Sequence, residues 1–482
     1  MIKKIPKSII NVLDKIEKAG FEAYIVGGSV RDLLMKREVR DWDITTNAKP
    51  RDILEIFTES FYENDFGTVG VKIKEKGITK NIVEITTYRT ESQYSDKRHP
   101  DKIKFAKTIE EDLSRRDFTM NALAARVKKN SFEVVDLFNG QNDIKNKIIR
   151  AVGDAESRFS EDALRMMRAV RFQAELGFSI EEKTLEAIKK NAQLIKLVAL
   201  ERIKDELTRI IISENPAGGI DAMQKTGLLS YIMPELEKGI GVAQNRHHIH
   251  TIYKHSLLAL KYCPSKNVSV RLAALLHDIA KPQTKRGEGT YATFYNHDHV
   301  GACVAEKILS RLRFSKEIIE KVKLLVDNHM FYYNPDEVGE SSVRKLIKKV
   351  GLENIKDLIE LRIADRLGSG TPKAKPYKLR HLEYMIDRVS HDAVSVKMLK
   401  INGNDLIKKI KIKPGPKIGA ILDVLLAEVI ENPEKNEKKH LLALAEELSK
   451  KDLTNLREMA QEKIEDRKEE NDKEIKNKYW VK

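Results

Sequence analysis

The chain has 482 residues, about three domains' worth of length, with 41% hydrophobic and 33% charged residues, and Lys and Arg exceed Asp and Glu by 88 − 73 = 15. That surplus suits an anionic partner such as nucleic acid, or simply a Lys-rich surface. Two cysteines, Cys263 and Cys303, exclude a disulfide framework and a thiolate zinc site, and the absence of a signal-peptide core or of a run near the roughly 18 apolar residues of a membrane span predicts a soluble, cytoplasmic protein.

In chain order, Ile9, Leu13 and Ile16 fall on one helical face and Gly20 stops it. EAYIVGG reads as a strand, SVRDLLM as a helix, DWDIT as a second strand, and PRDILEIFTES as a helix with Pro50 near its start. FGTVGVKI and NIVEITTY read as further strands separated by KEKGITK. Residues 1–150 therefore predict an α+β unit, a mixed sheet carrying helices. From about 151 the strands stop. SEDALRMMRAVRFQAELGF predicts one helix, with Ser160 as N-cap and Gly177 as its end. Helical patterns continue, and 433–482 is so rich in Lys and Glu that a solvated helix or partial disorder is expected. No repeat of fixed period is present.

Asp41 and Asp43 flank Trp42. On a strand they share one face and the tryptophan takes the other. Two neighbouring carboxylates repel unless a cation lies between them, and Mg²⁺ binds through one or two carboxylates plus substrate phosphates. Glu84, in NIVEITTY, offers a third carboxylate from another strand. The bland reading is an exposed D-x-D at a strand end. Gly27-Gly28, a plain strand-to-helix turn if taken alone, shifts the balance: glycines let backbone approach a ligand, and a following helix start offers free N–H groups to phosphate. Together these features suit a nucleoside triphosphate and metal site.

VGGSVRDLL, DWDITTNA, VEITTYRTE, RRDFTMNALA, EDALRMMRAVRF and ERIKDELTRI occur in that order within the first 210 residues. This series resembles the motifs of the class II tRNA nucleotidyltransferases, the bacterial CCA-adding enzymes and their poly(A) polymerase relatives. The resemblance covers roughly 1–435. It implies a nucleotidyltransferase-fold head over 1–150, then an all-α neck (151–218), body and tail. It implies that Asp41 and Asp43, with Glu84, hold catalytic Mg²⁺, and that Gly27, Gly28 and Arg31 contact the triphosphate. Arg116, Asp117 and Asn121 would lie near the sugar and triphosphate, although Asp117 also reads as a helix cap. Asp162 and Arg165 would select the base. A carboxylate accepts from the exocyclic amine shared by C and A, while a guanidinium donates to the adjacent ring nitrogen. The alternative is an i,i+3 salt bridge. Arg202 reads as a brace of the neck. RTESQYSDKRHPDKI reads as a mobile loop, and a loop at this place in the family accompanies the switch from C to A addition.

Further on, His255 lies in IYKHSLLAL, His277 and Asp278 end RLAALLHDIAK, and Asp365 lies in LRIADRLGSG. The order H…HD…D resembles the HD phosphohydrolase superfamily, with His297 and His329 placed as extra ligands. Residues 219–375 are thereby expected to form an HD-type domain holding a divalent metal whose identity the sequence leaves open, either hydrolytic or retained for structure. Residues 376–435, with lysines around Pro414-Gly415-Pro416, would grip tRNA phosphates, and 436–482 would be a charged tail.

The leading expectation is template-independent building and repair of the tRNA 3′-CCA end from CTP and ATP, with no membrane partner. The alternatives are a poly(A) polymerase, a CC-only or A-only adding enzyme, an HD hydrolase using the head as an RNA-binding module, and a non-catalytic RNA-binding protein. The last would predict lost carboxylates, and they are present.

Overall fold

The computed structural model describes all residues except 1–3, 40, 65–66, 76–77, 93–101, 129–130, 246–248, 372, 392–398 and 482. Among the described residues no helix is long and apolar enough to cross a membrane. The chain forms two compact units, Met1–His329 with Ala364–Gly370, and Met330–Ile363 with Thr371–Lys482.

The first unit begins with helix α1 (Lys7–Lys18). Its buried residues Ile9, Val12, Leu13 and Ile16 recur at the three- and four-residue spacing that puts one stripe on the core. Seven strands follow one another in space as β3-β4-β5-β2-β1-β8-β9: β1 (Ala23–Val26), β2 (Asp43–Thr46), β3 (Ser60–Asn64), β4 (Thr68–Glu75), β5 (Ile78–Thr87), β8 (Leu123–Lys128) and β9 (Ser131–Asp136). Among the described residues of this sheet only β2 and β5 pair in parallel; its other pairs are antiparallel. The sheet is therefore mixed, as the sequence predicts. Its core is Ile25, Ile44, Val69, Val83, Ile85 and Leu123, with Trp42 buried among them.

Between β5 and β8 the chain adds an antiparallel ribbon, β6 (Arg89–Ser92) with β7 (Lys102–Phe105). The ends of the expected loop are thus paired strands, and its centre, 93–101, lies outside the described residues. The head's remaining helices are α2 (Gly28–Leu34), α3 (Pro50–Ile56), α4 (Ile109–Ser114) and α5 (Gly140–Asn146).

The expected single neck helix is two. α6 (Ala155–Glu161) is capped by Asp154, whose side chain accepts from the Ser157 N–H, so Ser160 is not an N-cap. Asp162 is extended (φ −137°, ψ 103°) and its carboxylate accepts from the Leu164 N–H at 3.0 Å, which starts α7 (Leu164–Leu176). An aspartate that caps the next turn competes with helix continuation. Gly177 ends α7 in the left-handed region, as expected. α8 (Glu182–Asn191) and α9 (Leu200–Ile212) follow. Among the described residues one strand persists past 151, Ser179–Ile180, pairing in parallel with Ile148–Ile149.

In the second unit Leu406, Ile421, Leu425, Leu441, Ala445, Leu448 and Leu456 share a core. The charged tail is helical over Lys438–Leu448 and Leu453–Tyr479; Leu441, Leu448 and Leu456 enter this core, and further along Asp472 accepts from the Tyr384 hydroxyl and Lys478 pairs with Asp387.

Candidate functional sites

β1 runs into Gly27, whose φ of +70° places the turn where an L side chain is strained. A Cβ there would also lie 2.9 Å from Arg116 Nη1. At Gly28 a Cβ would meet Arg31 only at ordinary contact, 3.6 Å. The two glycines therefore differ: only Gly27 is dictated by backbone and space.

Strand β2 starts at Asp43, and Asp41 precedes it. Ser29, in the first turn of α2, donates to the Asp41 carbonyl at 2.9 Å and accepts from the Asp43 N–H at 3.1 Å. One hydroxyl thus ties the glycine turn to both aspartates. Trp42 turns into the core while Asp41 and Asp43 line a cavity of about 680 Å³. Burial pushes the Asp43 carboxyl up; Arg116 opposes the shift and Asp41 adds to it. Glu84 is the register partner of Asp43 on β5. It is exposed and is not among the residues lining the cavity.

The same cavity is lined by Gly28, Arg31, Arg116 and Asn121 from the head and by Arg168, Arg171 and Phe172 from α7. Arg31 donates to Asn121 Oδ1 at 2.8 Å, Asn121 donates to Asp117 Oδ1 at 3.2 Å, and Asp117 Oδ2 holds Arg168 at 2.7 Å. Burial alone would raise the Asp117 carboxyl, but Arg168 and the hydrogen bonds bring it down to about 2. Asp117 therefore joins head to neck and does not cap a helix. The guanidinium groups of Arg31, Arg168 and Arg171 lie 5.2, 5.5 and 4.1 Å from the Phe172 ring centre, an arginine wall in which each member is also paired with a carboxylate, Asp32, Asp117, or Glu175 and Glu206. Arg168, Arg171 and Phe172 were missed from sequence. The only signal was their i,i+3 and i,i+4 spacing in RAVRF.

Asp162 and Arg165, expected as the base-selecting pair with an i,i+3 salt bridge as the alternative, each have further partners. Asp162 is held by Arg202, at 2.8 Å to Nη2 and 3.3 Å to Nη1. Arg165 is buried, pairs with Glu161 at 2.6 Å and donates to the Arg115 carbonyl at 3.1 Å. Neither is among the residues lining the cavity.

A second cluster lies among helix ends of the first unit. His255 sits in helix Ile252–Tyr262, His277 and Asp278 follow helix Val268–Leu276, His297 opens helix His297–Arg311, His329 follows helix Lys316–Asn328, and Asp365 lies in the Ala364–Gly370 segment. All six are buried. They form two donor groups, His255, His277 and Asp365, and Asp278, His297 and His329, the ligand atoms within each group lying within 4.8 Å of one another. His277, His297 and His329 each bond through Nδ1 to the carbonyl three residues earlier, at 2.9, 2.7 and 2.7 Å. That bond fixes the tautomer and leaves Nε2 as the donor atom. Burial pushes the His329 imidazole down to about 3, whereas at His277 the neighbouring Asp278 and Asp365 outweigh burial and push the imidazole up to about 10. The donor set fits a divalent cation.

The nucleotidyltransferase architecture is thus complete in outline: a mixed sheet with a glycine turn and paired aspartates facing an arginine-lined cavity. Models of known families match in three places: the poly A polymerase head domain over 23–150, the probable RNA and SrmB-binding site of polymerase A over 177–240, and the putative tRNA nucleotidyltransferase domain 2 over 288–445. The CCA-adding enzyme of Ligilactobacillus salivarius is 35% identical over 455 residues, 93% of this chain and 98% of that protein. The chain belongs to the CCA-adding enzyme family. The Bacillus stearothermophilus CCA-adding enzyme, solved in complex with CTP, is 27% identical and superposes with a TM-score of 0.60 over 92% of this chain and 96% of that one. The Thermotoga maritima CCA-adding enzyme complexed with tRNA-CCA shares the fold at 20% identity, with a TM-score of 0.52 over 93% and 97% of the two chains.

Proposed function

We propose that the chain builds and repairs the 3′-terminal CCA of tRNA from CTP and ATP without a nucleic-acid template. The observation that carries this is the shared cavity, in which Asp41 and Asp43 face Arg31, Arg116 and Arg168. The RNA 3′-hydroxyl attacks the α-phosphate, the new O–P bond forms, the bond to the β-phosphate oxygen breaks, and pyrophosphate leaves. Asp41 and Asp43, with Glu84 alongside, are the residues to hold Mg²⁺. Their mutual repulsion and the raised Asp43 carboxyl fit a place for cations. When bound, Mg²⁺ neutralises charge on the phosphates and favours the deprotonated hydroxyl. Gly27 and Gly28 give the triphosphate room, and Arg31 and Arg116 counter its charge, Asn121 fixing the Arg31 guanidinium. Asp162, held by Arg202, and Arg165, held by Glu161, are the base-selecting pair.

The test is addition to three tRNA transcripts, ending before CCA, after C and after CC, read at single-nucleotide resolution. Two C and then one A are expected. A long A ladder would mean a poly(A) polymerase, and a stop after CC a CC-only enzyme.

We also propose a second activity, metal-dependent hydrolysis of phosphate esters at the His255–Asp365 cluster. It is favoured by six buried donors that nothing in the head reaction uses. Water would replace the ester oxygen on phosphorus and release an alcohol. Asp43→Ala should abolish nucleotide addition and leave hydrolysis of bis-p-nitrophenyl phosphate with added Mn²⁺. Loss of both would remove the two-site reading.

A further inference from the structure

Strand register sets four residues in one row across the head sheet. Asp43 on β2 pairs with Glu84 on β5, Glu84 with Gly70 on β4, and Gly70 with Phe61 on β3. Residues paired in this way point to the same face. Their chain neighbours Ile44, Ile85, Val69 and Val71 take the other face and are buried in the core. The row runs outward from Asp43 to the edge strand β3. Glu84 is exposed, and Phe61 keeps 36% of its surface open. The glycine opposite holds the ring flat. A Cβ on Gly70 would lie 2.6 Å from Phe61 Cζ and 3.0 Å from both Cε atoms, distances that put the ring face-on over the bare strand. One face of the ring covers Gly70 and the other looks outward. Lys72, two residues along β4, brings its Nζ to 5.6 Å from the ring centre. Covering a strand glycine with an aromatic ring is a packing device in its own right, but packing alone calls for neither the open outer face nor the ammonium beside it.

The direction of the row bears on the chemistry. An in-line displacement puts the attacking hydroxyl on the side of the α-phosphate away from the pyrophosphate. The strand β1 that leads into the glycine turn lies on one side of β2, and β5, β4 and β3 lie on the other. With the triphosphate at the glycine turn, the RNA 3′ end comes in over Glu84, along the row that ends at Phe61. Gly70 is two strand spacings from Asp43, about 10 Å, which brings the ring within reach of the last nucleotides.

We propose that the outward face of Phe61 is a stacking platform for a base at the single-stranded 3′ end of the RNA, with Lys72 taking the adjacent phosphate. The inference rests on the nucleotide-addition reading above and adds to it the place where the RNA end is held. Stacking on an aromatic ring accepts every base, because each has a π face. That suits a 3′ end whose last nucleotide changes with each addition. Neither Phe61 nor Lys72 lines the cavity that holds Arg31, Arg116 and Arg168, so the RNA end and the triphosphate occupy separate places.

The experiment uses the full chain with tRNA transcripts that end after CC and carry 5-iodocytidine at the last or the next-to-last position. The complexes are irradiated at long wavelength, which couples an iodinated pyrimidine to an aromatic side chain stacked on it. A crosslink mapped to Phe61 from at least one of the two transcripts is expected. Phe61→Leu keeps an apolar cover over Gly70 and removes the π face. It should raise the KM for tRNA by about tenfold while the KM for ATP stays within about twofold. Phe61→Trp should hold the tRNA KM near its native value. Lys72→Ala should lower the salt dependence of tRNA binding by about one phosphate contact. Crosslinks that avoid Phe61, or a tRNA KM in Phe61→Leu equal to the native one, overturn the platform and leave the ring as a cover for Gly70. A native chain that adds no nucleotide to any RNA overturns the nucleotide-addition reading instead.

Discussion

Arg202 holds the Asp162 carboxylate through both terminal guanidinium nitrogens, at 2.8 and 3.3 Å. The pair spans a helix break: Asp162 ends α6, and Arg202 stands in the first turn of α9. A carboxylate that accepts from a base amine must have its oxygens aimed, and a two-point guanidinium grip aims them. Arg202 is therefore a positioning residue. Arg202→Ala should lower the preference for CTP over UTP by about tenfold, or roughly 1.4 kcal/mol. Arg202→Lys should recover little of it, since a point charge cannot replace the fork. The check is kcat/KM for each nucleotide on a tRNA ending before CCA. An equal loss for all four nucleotides would make Arg202 a brace of the neck and nothing more.

Ser29 makes a different kind of prediction. Its hydroxyl joins the Asp41 carbonyl to the Asp43 amide, so it fixes the spacing of the two carboxylates without charge of its own. Ser29→Ala should reduce kcat by about 10- to 100-fold, since small misplacements near the chemistry are costly. Nucleotide affinity should change little, and Ser29→Thr should restore much of the rate. A rise in KM with kcat intact would place Ser29 in nucleotide binding.

The glycine pair divides in the same physical terms. Gly27→Ala introduces a Cβ at φ +70° and 2.9 Å from Arg116 Nη1. The backbone cost at φ +70°, ψ −131° is about 1–3 kcal/mol, and the displaced guanidinium is one that faces Asp43. Gly28→Ala meets only an ordinary contact, in a helical first turn. The first variant should weaken CTP binding about tenfold or more, and the second less than threefold, by titration calorimetry. Equal effects would refute the steric account.

The sequence carried the head because its signals are local. Asp43 and Glu84 lie on strands, and Gly27 and Asp41 at their ends, where period and punctuation are readable, and the structure puts Glu84 beside Asp43 by strand register. The neck was harder. EDALRMMRAVRF has an unbroken helical pattern, and only the Asp162 side chain, by capping Leu164, breaks it. Pairing of Asp162 with Arg202, 40 residues away, and of Asp117 with Arg168, 51 away, depends on how helices pack, which periodicity does not encode. The six donors of the second cluster were legible as residue types in order. Their division into two donor groups was not, because it arises where separate helix ends meet.

Asp117 gives the pH prediction. Its carboxyl is held at about 2 against an ordinary 3.8, with Arg168 as partner. A folded-state value below the unfolded one means that the charged form stabilises the fold above the unfolded value. That stabilisation is lost as pH falls through the folded value. The difference corresponds to on the order of 2 kcal/mol, and roughly half should be gone by pH 3. Asp117→Asn removes the titration and leaves Arg168 with only its longer contact to Glu206, at 4.0 Å, at every pH. The stability gap between the native chain and this variant should therefore be constant from pH 7 to 5 and narrow below about pH 4. Urea midpoints measured at half-unit pH steps would show it. A gap that stayed flat down to pH 3 would mean that the Asp117 charge does not secure the joint between head and neck.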